Sequence, residues 1–369
     1  MKTRSAAEKK YYEYELLKFY EMKKQTIKEH KLSHLMWETT TRCNAGCEHC
    51  SCSCDKNNKV EEVDTKYIIK MLDDIDREYG ANNVFFVATG GEPLLRKGLF
   101  EVMSHATKLG YTWGMSTNGS LLTKSMVKKM KDTNILSVNI SIDGLKDTHE
   151  AFRKLPGYWE KIWDGVKMLQ EEPAVPVIQV TTCATKKNLN ELEDLYKFLV
   201  SKGIKYWRVL SVDANGRAIG NDDILLSGDD YNYLFDFIES KNNEHKMTEV
   251  TYGCSNYLGP NLEGGRVREP YFFCMAGIIN ASILSNGDIY VCPNLPRRKE
   301  LIQGNITKDN FMDVWNNKFD FFRDPNRQAN KKCLSCYHWK YCLGGSLHTW
   351  DFDKKRQDFC PKEHIKNFE

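Results

Sequence analysis

The chain has 369 residues, enough for a large core and for more than one domain. With 41% apolar and 28% charged residues it has an ordinary globular balance. Its net charge of +3, from 53 basic and 50 acidic side chains, gives no support for a nucleic-acid surface. The opening segment lacks the apolar stretch of a secretory signal. No later segment reaches the roughly 18 to 20 apolar residues of a membrane span, so a cytoplasmic protein without a membrane partner is expected.

In chain order, residues 1–33 read as an N-terminal helical extension. Leu16, Leu17, Phe19, Tyr20, Met22 and Ile27 lie among Lys and Glu as on an amphipathic helix that packs on the main body. From residue 34 to about 212, short apolar runs alternate with longer amphipathic ones. Strands are predicted at His34–Glu38, Val84–Ala88, Tyr111–Met115, Ser137–Ile142, Val177–Thr182 and Tyr206–Ser211. Helices are predicted at 65–79, 98–109, 123–131, 160–170 and 189–201. Repeated βα units imply a parallel sheet covered by helices. Six units fall short of a closed eight-stranded barrel, so the fold class expected over 34–229 is α/β, a partial (β/α)6 TIM-like barrel. Residues 230–269 read as a linker with a helix near 230–241. Residues 270–369 read as a small cysteine-rich α+β domain, with a hairpin at 278–284 and 288–291 turning at Ser285-Asn286-Gly287.

Thirteen cysteines in a chain read as cytoplasmic suggest metal or redox chemistry rather than disulfides. Five lie between Cys43 and Cys54, Cys183 stands alone, and seven follow from Cys254 onward. Cys43-x3-Cys47-x2-Cys50 places three thiols in one loop after the first strand, a set that can hold iron with one metal site lacking a protein ligand. His49 offers a fourth ligand for zinc in principle. The later strand ends carry Gly90-Gly91-Glu92-Pro93, then Ser116 and Asn118, then Ser141 and Asp143, then Cys183. Loops at the carboxyl ends of parallel strands converge on one active site. Cys52 and Cys54 read as inert or locally structural.

This combination resembles the radical S-adenosylmethionine (SAM) superfamily. The resemblance implies that Cys43, Cys47 and Cys50 bind a [4Fe–4S] cluster whose open iron is chelated by SAM. Gly90, Gly91 and Glu92 would receive the methionine amino group, and Ser116, Asn118, Ser141 and Asp143 its carboxylate or the ribose. An electron, from a flavodoxin- or ferredoxin-like donor, would cleave SAM to methionine and a 5′-deoxyadenosyl radical that takes a substrate hydrogen. Cys183 is the candidate for returning a hydrogen atom to the substrate radical, against a simple packing role.

Cys333-x2-Cys336-x5-Cys342 with Cys360 can enclose an iron–sulfur cluster or a structural zinc ion. The arrangement with Cys274, Gly287 and Cys292 resembles a SPASM extension, which implies an auxiliary [4Fe–4S] cluster on the four later cysteines. Cys254, Cys274 and Cys292 would serve a possible second auxiliary cluster, but Ser346 stands where the family pattern has a further cysteine. The SPASM resemblance implies a ribosomally made precursor peptide as substrate. The alternatives are sulfatase-maturase-like protein oxidation, disfavoured by Pro293 where that pattern has aspartate after Cys292, a small metabolite, or a non-enzymatic electron-transfer or scaffold protein.

Overall fold

All six predicted strands form and lie side by side in the computed structural model, which describes residues 6–58, 61–244, 247–269 and 271–368. They are β1 (His34–Glu38), β2 (Phe85–Thr89), β3 (Thr112–Thr117), β4 (Ile135–Ser141), β5 (Val177–Ala184) and β6 (Tyr206–Ser211), each parallel to the next. A seventh parallel strand, β7 (Glu249–Tyr252), pairs with β6 inside the segment expected as linker and helix. Its four residues are too few to show a period beside the helix that precedes them.

The predicted hairpin is present as β8 (Asn280–Ile283) and β9 (Asp288–Tyr290), turning through Gly287 at φ +89°. It does not stand apart from the barrel. β8 pairs in parallel with β1, and β10 (Gly304–Asn305) closes the far edge, giving the order β10-β9-β8-β1-β2-β3-β4-β5-β6-β7.

Successive strand residues point to opposite faces. Leu35, Trp37, Phe86, Ala88, Trp113, Met115, Val138, Ile140, Val180, Trp207 and Val209 are buried on the helix-covered face. That layer contains α2 (Thr65–Tyr79), α3 (Leu99–Leu109), α4 (Lys124–Asp132), α6 (Trp159–Gln170) and α7 (Leu192–Ser201), close to the predicted bounds. The other face carries polar residues. Asn139 on β4 donates to Ser116 Oγ on β3 (3.4 Å) and accepts from Thr181 Oγ1 on β5 (2.7 Å). An eight-residue helix that was not predicted, α5 (Lys146–Arg153), follows β4.

The N-terminal helix α1 (Ala6–Glu29) packs as expected through Leu16 and Phe19, while Leu17 and Met22 are exposed. Phe19 sits among Tyr257, Tyr271 and Phe273, at ring-centre distances of 6.4, 5.4 and 6.0 Å. No helix among the described residues is long and apolar enough to cross a membrane.

Candidate active site

The loop after β1 is held by backbone bonds rather than by regular structure. The Cys43 amide donates to Asp55 O (3.0 Å) and the Cys50 amide to Cys47 O (3.3 Å). The Gly46 and Glu48 amides donate to Arg153 O (3.0 Å) and Phe152 O (3.1 Å) at the end of α5. From the loop after β6, Arg217 donates through Nε to Cys47 O (2.7 Å) and through Nη1 to Cys54 O (3.0 Å). Gly216, at φ +56°, lets that loop approach. A Cβ there would lie 2.3 Å from the carbonyl oxygens of Cys50 and Ser51.

The three thiols sit in unequal surroundings. Burial pushes Cys43 up to about 12 and raises Cys47, which Arg153 opposes across 3.7 Å. Cys50 is pulled down to about 6, first by the Cys54 thiol, and its sulfur also accepts from the Cys54 amide at 3.3 Å. Cys54 is therefore tied to Cys50 within the loop. Cys52 reaches Pro293 O at 3.1 Å and so joins this loop to the residue after Cys292. Metal loading at such a set must release protons from the raised thiols.

The Gly90-Gly91-Glu92-Pro93 loop lies directly against the cysteine loop. The Gly91 amide donates to Thr40 O (2.7 Å) and the Glu92 amide to Arg42 O (2.9 Å). A Cβ on Gly90 would fall 2.4 Å from Thr40 O, and one on Gly91 only 2.1 Å from Arg42 O. Glycine is required there by proximity. Glu92 is fully buried, which raises its carboxyl. Its oxygens accept from Thr117 Oγ1 (2.8 Å), the Asn118 amide (2.9 Å) and the Leu94 amide (3.2 Å). Its side chain thus ties the end of β3 to the glycine loop. Asn118 in turn donates to Asn44 Oδ1 (2.9 Å), with its amide nitrogen 3.9 Å from Cys43 Sγ.

Asp143, after β4, is fully buried and pairs with the Arg153 guanidinium at 2.7 Å. Burial opposes its ionisation, yet Arg153 holds its carboxyl below the ordinary value. Its other oxygen accepts from the Cys183 amide (2.8 Å), and its own amide donates to His149 Nδ1 (3.1 Å). Ligand atoms of His49, Asp143 and Cys183 lie within 4.8 Å of one another. Arg153 already supplies the countercharge there, so a cation has no electrostatic need to fill. His49 stacks on Phe152 (4.7 Å, 9°), and burial lowers it to about 4, a neutral ring. The Cys183 thiol is raised well above its ordinary value by burial and then by Asp143. It packs against Phe152, Val212, Ala218 and Ile224. Ser116 and Ser141 lie on the inward sheet face, Ser141 in register with Thr181.

The later cysteines form two groups. Cys254 is exposed on the wall of a cavity, where desolvation, then neighbouring Cys274 and Cys292, raises its thiol, and burial takes Cys292 to about 12. That cavity, about 380 Å³, opens between β5–β7 and the segment 268–275, with Gln179, Arg208, Thr251 and Cys254 in its wall. In the second group, Asn330 caps the turn carrying Cys333, accepting from its amide at 2.9 Å. Cys342 is pushed up to about 12 by burial and then by Cys360 and Cys333. Lys23 of α1 is buried against this group, donating to Tyr341 O (2.7 Å) and to Lys340 O. The N-terminal helix therefore also anchors the segment before Cys342.

Sequence reasoning missed Arg153, His149, Arg217 and Lys23. The first two lie on α5, whose KDTHEAFR sequence is too short and polar to show a helical period. Arg217 and Lys23 act across 170 and 318 positions, which no local pattern shows.

Residues 37–199 match the radical SAM superfamily, and residues 274–337 match the SPASM iron–sulfur cluster-binding domain. The chain is 28% identical to the AdoMet-dependent heme synthase of Nitratidesulfovibrio vulgaris, over 84% of this chain and 86% of that protein. It is 28% identical to the mycofactocin maturase of Mycobacterium tuberculosis, over 85% of this chain and 78% of that one. Its fold is that of anSMEcpe with bound AdoMet and peptide (TM-score 0.67, 20% identity, 92% of this chain and 93% of that chain). It is also that of Streptococcus suis SuiB bound to its precursor peptide SuiA (TM-score 0.63, 20% identity, 86% and 73%). The matched segments carry the cysteine loop, the glycine loop and Cys274–Cys336, and on that ground the chain belongs to the radical SAM superfamily and bears a SPASM iron–sulfur domain.

Proposed function

We propose that this enzyme modifies a ribosomally made peptide, with Cys43, Cys47 and Cys50 holding a [4Fe–4S] cluster that SAM completes. The observation that carries the reading is the meeting of three strand ends. Glu92 accepts from Thr117 and Asn118, whose side-chain amide lies 3.9 Å from Cys43 Sγ. When bound and reduced, the cluster and SAM supply a 5′-deoxyadenosyl radical. The residues around them position and insulate. Gly90 and Gly91 let their loop lie against the Thr40 and Arg42 backbone, Asn118 and the Ser116–Asn139–Thr181 ladder offer polar groups, and Arg153 fixes Asp143 beside the cysteine loop.

The cavity between β5–β7 and 268–275 is the proposed substrate chamber. It has the size of a small-molecule pocket, and Cys254 brings the group of Cys254, Cys274 and Cys292 to its wall. Cys333, Cys336, Cys342 and Cys360 are assigned an auxiliary [4Fe–4S] cluster, and Cys254, Cys274 and Cys292 a further iron–sulfur centre. A flavodoxin- or ferredoxin-like protein would deliver the electron. The resemblance to anSMEcpe and SuiB, both solved with peptides, and to the mycofactocin maturase supports a peptide. Arg208 in the cavity wall, with the resemblance to heme synthases, favours a second reading in which a carboxylated small molecule occupies the same chamber.

Anaerobic reconstitution followed by assay of 5′-deoxyadenosine tests the chemistry. The parent should form it from SAM and dithionite, and the Cys43→Ala/Cys47→Ala/Cys50→Ala variant should not. Undiminished formation by the variant would remove the assignment. Deuterium carried from a labelled precursor peptide, rather than from an iron porphyrin, into 5′-deoxyadenosine would decide the substrate.

A further inference from the structure

Cys254, Cys274 and Cys292 form a group of three thiols, and the position where a fourth is expected holds Ser346. That serine is committed to other bonds. It is fully buried, its amide donates to Asn256 Oδ1 (2.7 Å), and its hydroxyl oxygen accepts from the His348 amide (3.1 Å). Thr349 Oγ1 donates to the same Asn256 oxygen at 2.9 Å. These bonds fix the short helical turn Leu347–Thr349. The result is that His348, two residues beyond the expected position, presents Nε2 to Cys292 Sγ at 3.2 Å.

The rest of the histidine is equally placed. Asn215 donates to His348 O at 2.9 Å, and Nδ1 stands 3.8 Å from Asp213 Oδ2. Metal-binding histidines commonly direct their second nitrogen to a carboxylate or water, and Asp213 lies on that side of the ring without a direct hydrogen bond. A tetrahedral metal with a thiolate at about 2.3 Å and an imidazole at about 2.0 Å sets sulfur and nitrogen about 3.5 Å apart. The Cys292–His348 distance is close to that value.

We propose that His348 Nε2 is the fourth protein ligand of the iron–sulfur centre held by Cys254, Cys274 and Cys292, and that it shares one iron with Cys292. Two protein ligands on one iron is the pattern of a [2Fe–2S] cluster, where imidazole can replace thiolate. The inference rests on the reading of these three cysteines as iron ligands. It makes the site complete without a substrate atom.

The test uses the full-length protein, reconstituted anaerobically and labelled with 15N-histidine, and does not depend on turnover. Dithionite-reduced parent should show the nitrogen coupling of directly bonded imidazole by pulsed EPR, switching isotope with the label. His348→Ala should lose about two irons per chain and the matching Mössbauer signal, as Cys274→Ser and Cys292→Ser should. His348→Cys should keep the iron and lose the nitrogen coupling, an outcome that a role in folding alone would not give. A His348→Ala protein with unchanged iron and spectra, while Cys292→Ser loses the centre, would overturn the proposal and leave the three-cysteine reading intact. A parent in which neither Cys274→Ser nor Cys292→Ser removes iron would overturn both.

Discussion

Replacing Asp143 by asparagine should destabilise the apoprotein by about 3–5 kcal/mol, the usual loss when one partner of a buried ion pair is removed. Asp143 is fully buried, and the Arg153 side chain opposite it at 2.7 Å is 8% exposed. The asparagine carbonyl can still accept from the Cys183 amide, so the loss belongs mainly to the stranded guanidinium. Arg153→Met should cost a similar amount by stranding the carboxylate. The double variant should lose less than the sum, because neither charge is left alone. Equilibrium urea unfolding, followed by fluorescence of Trp159 and Trp163 on the adjacent α6, measures all four proteins. The pH dependence has a fixed sign. Arg153 holds the Asp143 carboxyl below its ordinary value of 3.8, so the pair's contribution is complete above that pH and disappears as pH falls through the lower folded value. The gap between parent and Asp143→Asn should therefore narrow in acid. A single variant within about 1 kcal/mol of the parent, or strict additivity in the double, would refute the argument.

Gly91→Ala should cost about 3 kcal/mol and lower iron retention at the first cluster, since its Cβ would meet Arg42 O at 2.1 Å; denaturation of the apoprotein and iron analysis check this. Cys333→Ala/Cys336→Ala should lose one [4Fe–4S] equivalent by Mössbauer spectroscopy while 5′-deoxyadenosine formation persists; stoichiometric zinc in the parent at this site would contradict it. Lys23→Met leaves the Lys340 and Tyr341 carbonyls without their donor and should destabilise by about 1–3 kcal/mol. Faster hydrogen exchange across residues 331–345 is the accompanying observation.

The barrel was legible because its strands are short apolar runs set between helices of clear period. His34–Glu38, Tyr206–Ser211 and Thr65–Tyr79 have the predicted bounds. Cysteine spacing and the glycine loop brought the site's backbone into view, since both are contiguous motifs. The supporting side chains were hidden. Arg153 matters through contact with a loop some hundred positions earlier, and Cys54 through a thiol four residues away whose environment is set by folding. Glu92 also bonds Thr117, Asn118 and Leu94 through its carboxylate, contacts that no spacing in the sequence shows. Sequence placed the residue at the right strand end, but the packing of three loops determines its bonds.

The parallel pairing of β8 with β1 bears on how the protein can be divided. Residues His34–Trp37 are hydrogen-bonded to Phe85–Ala88 on one side and to Asn280–Ile283 on the other. A chain cut near residue 270 would not yield a finished barrel. It would turn the strand that delivers Cys43 into an open edge, with bare amides and carbonyls able to recruit another strand. Such a fragment should self-associate. In the intact chain the same pairing acts as a ruler: β8 pairs with β1 on one side and β9 on the other, so Cys43, after β1, and Cys292, after β9, hang from one continuous sheet and their spacing is set by sheet geometry and not by a hinge.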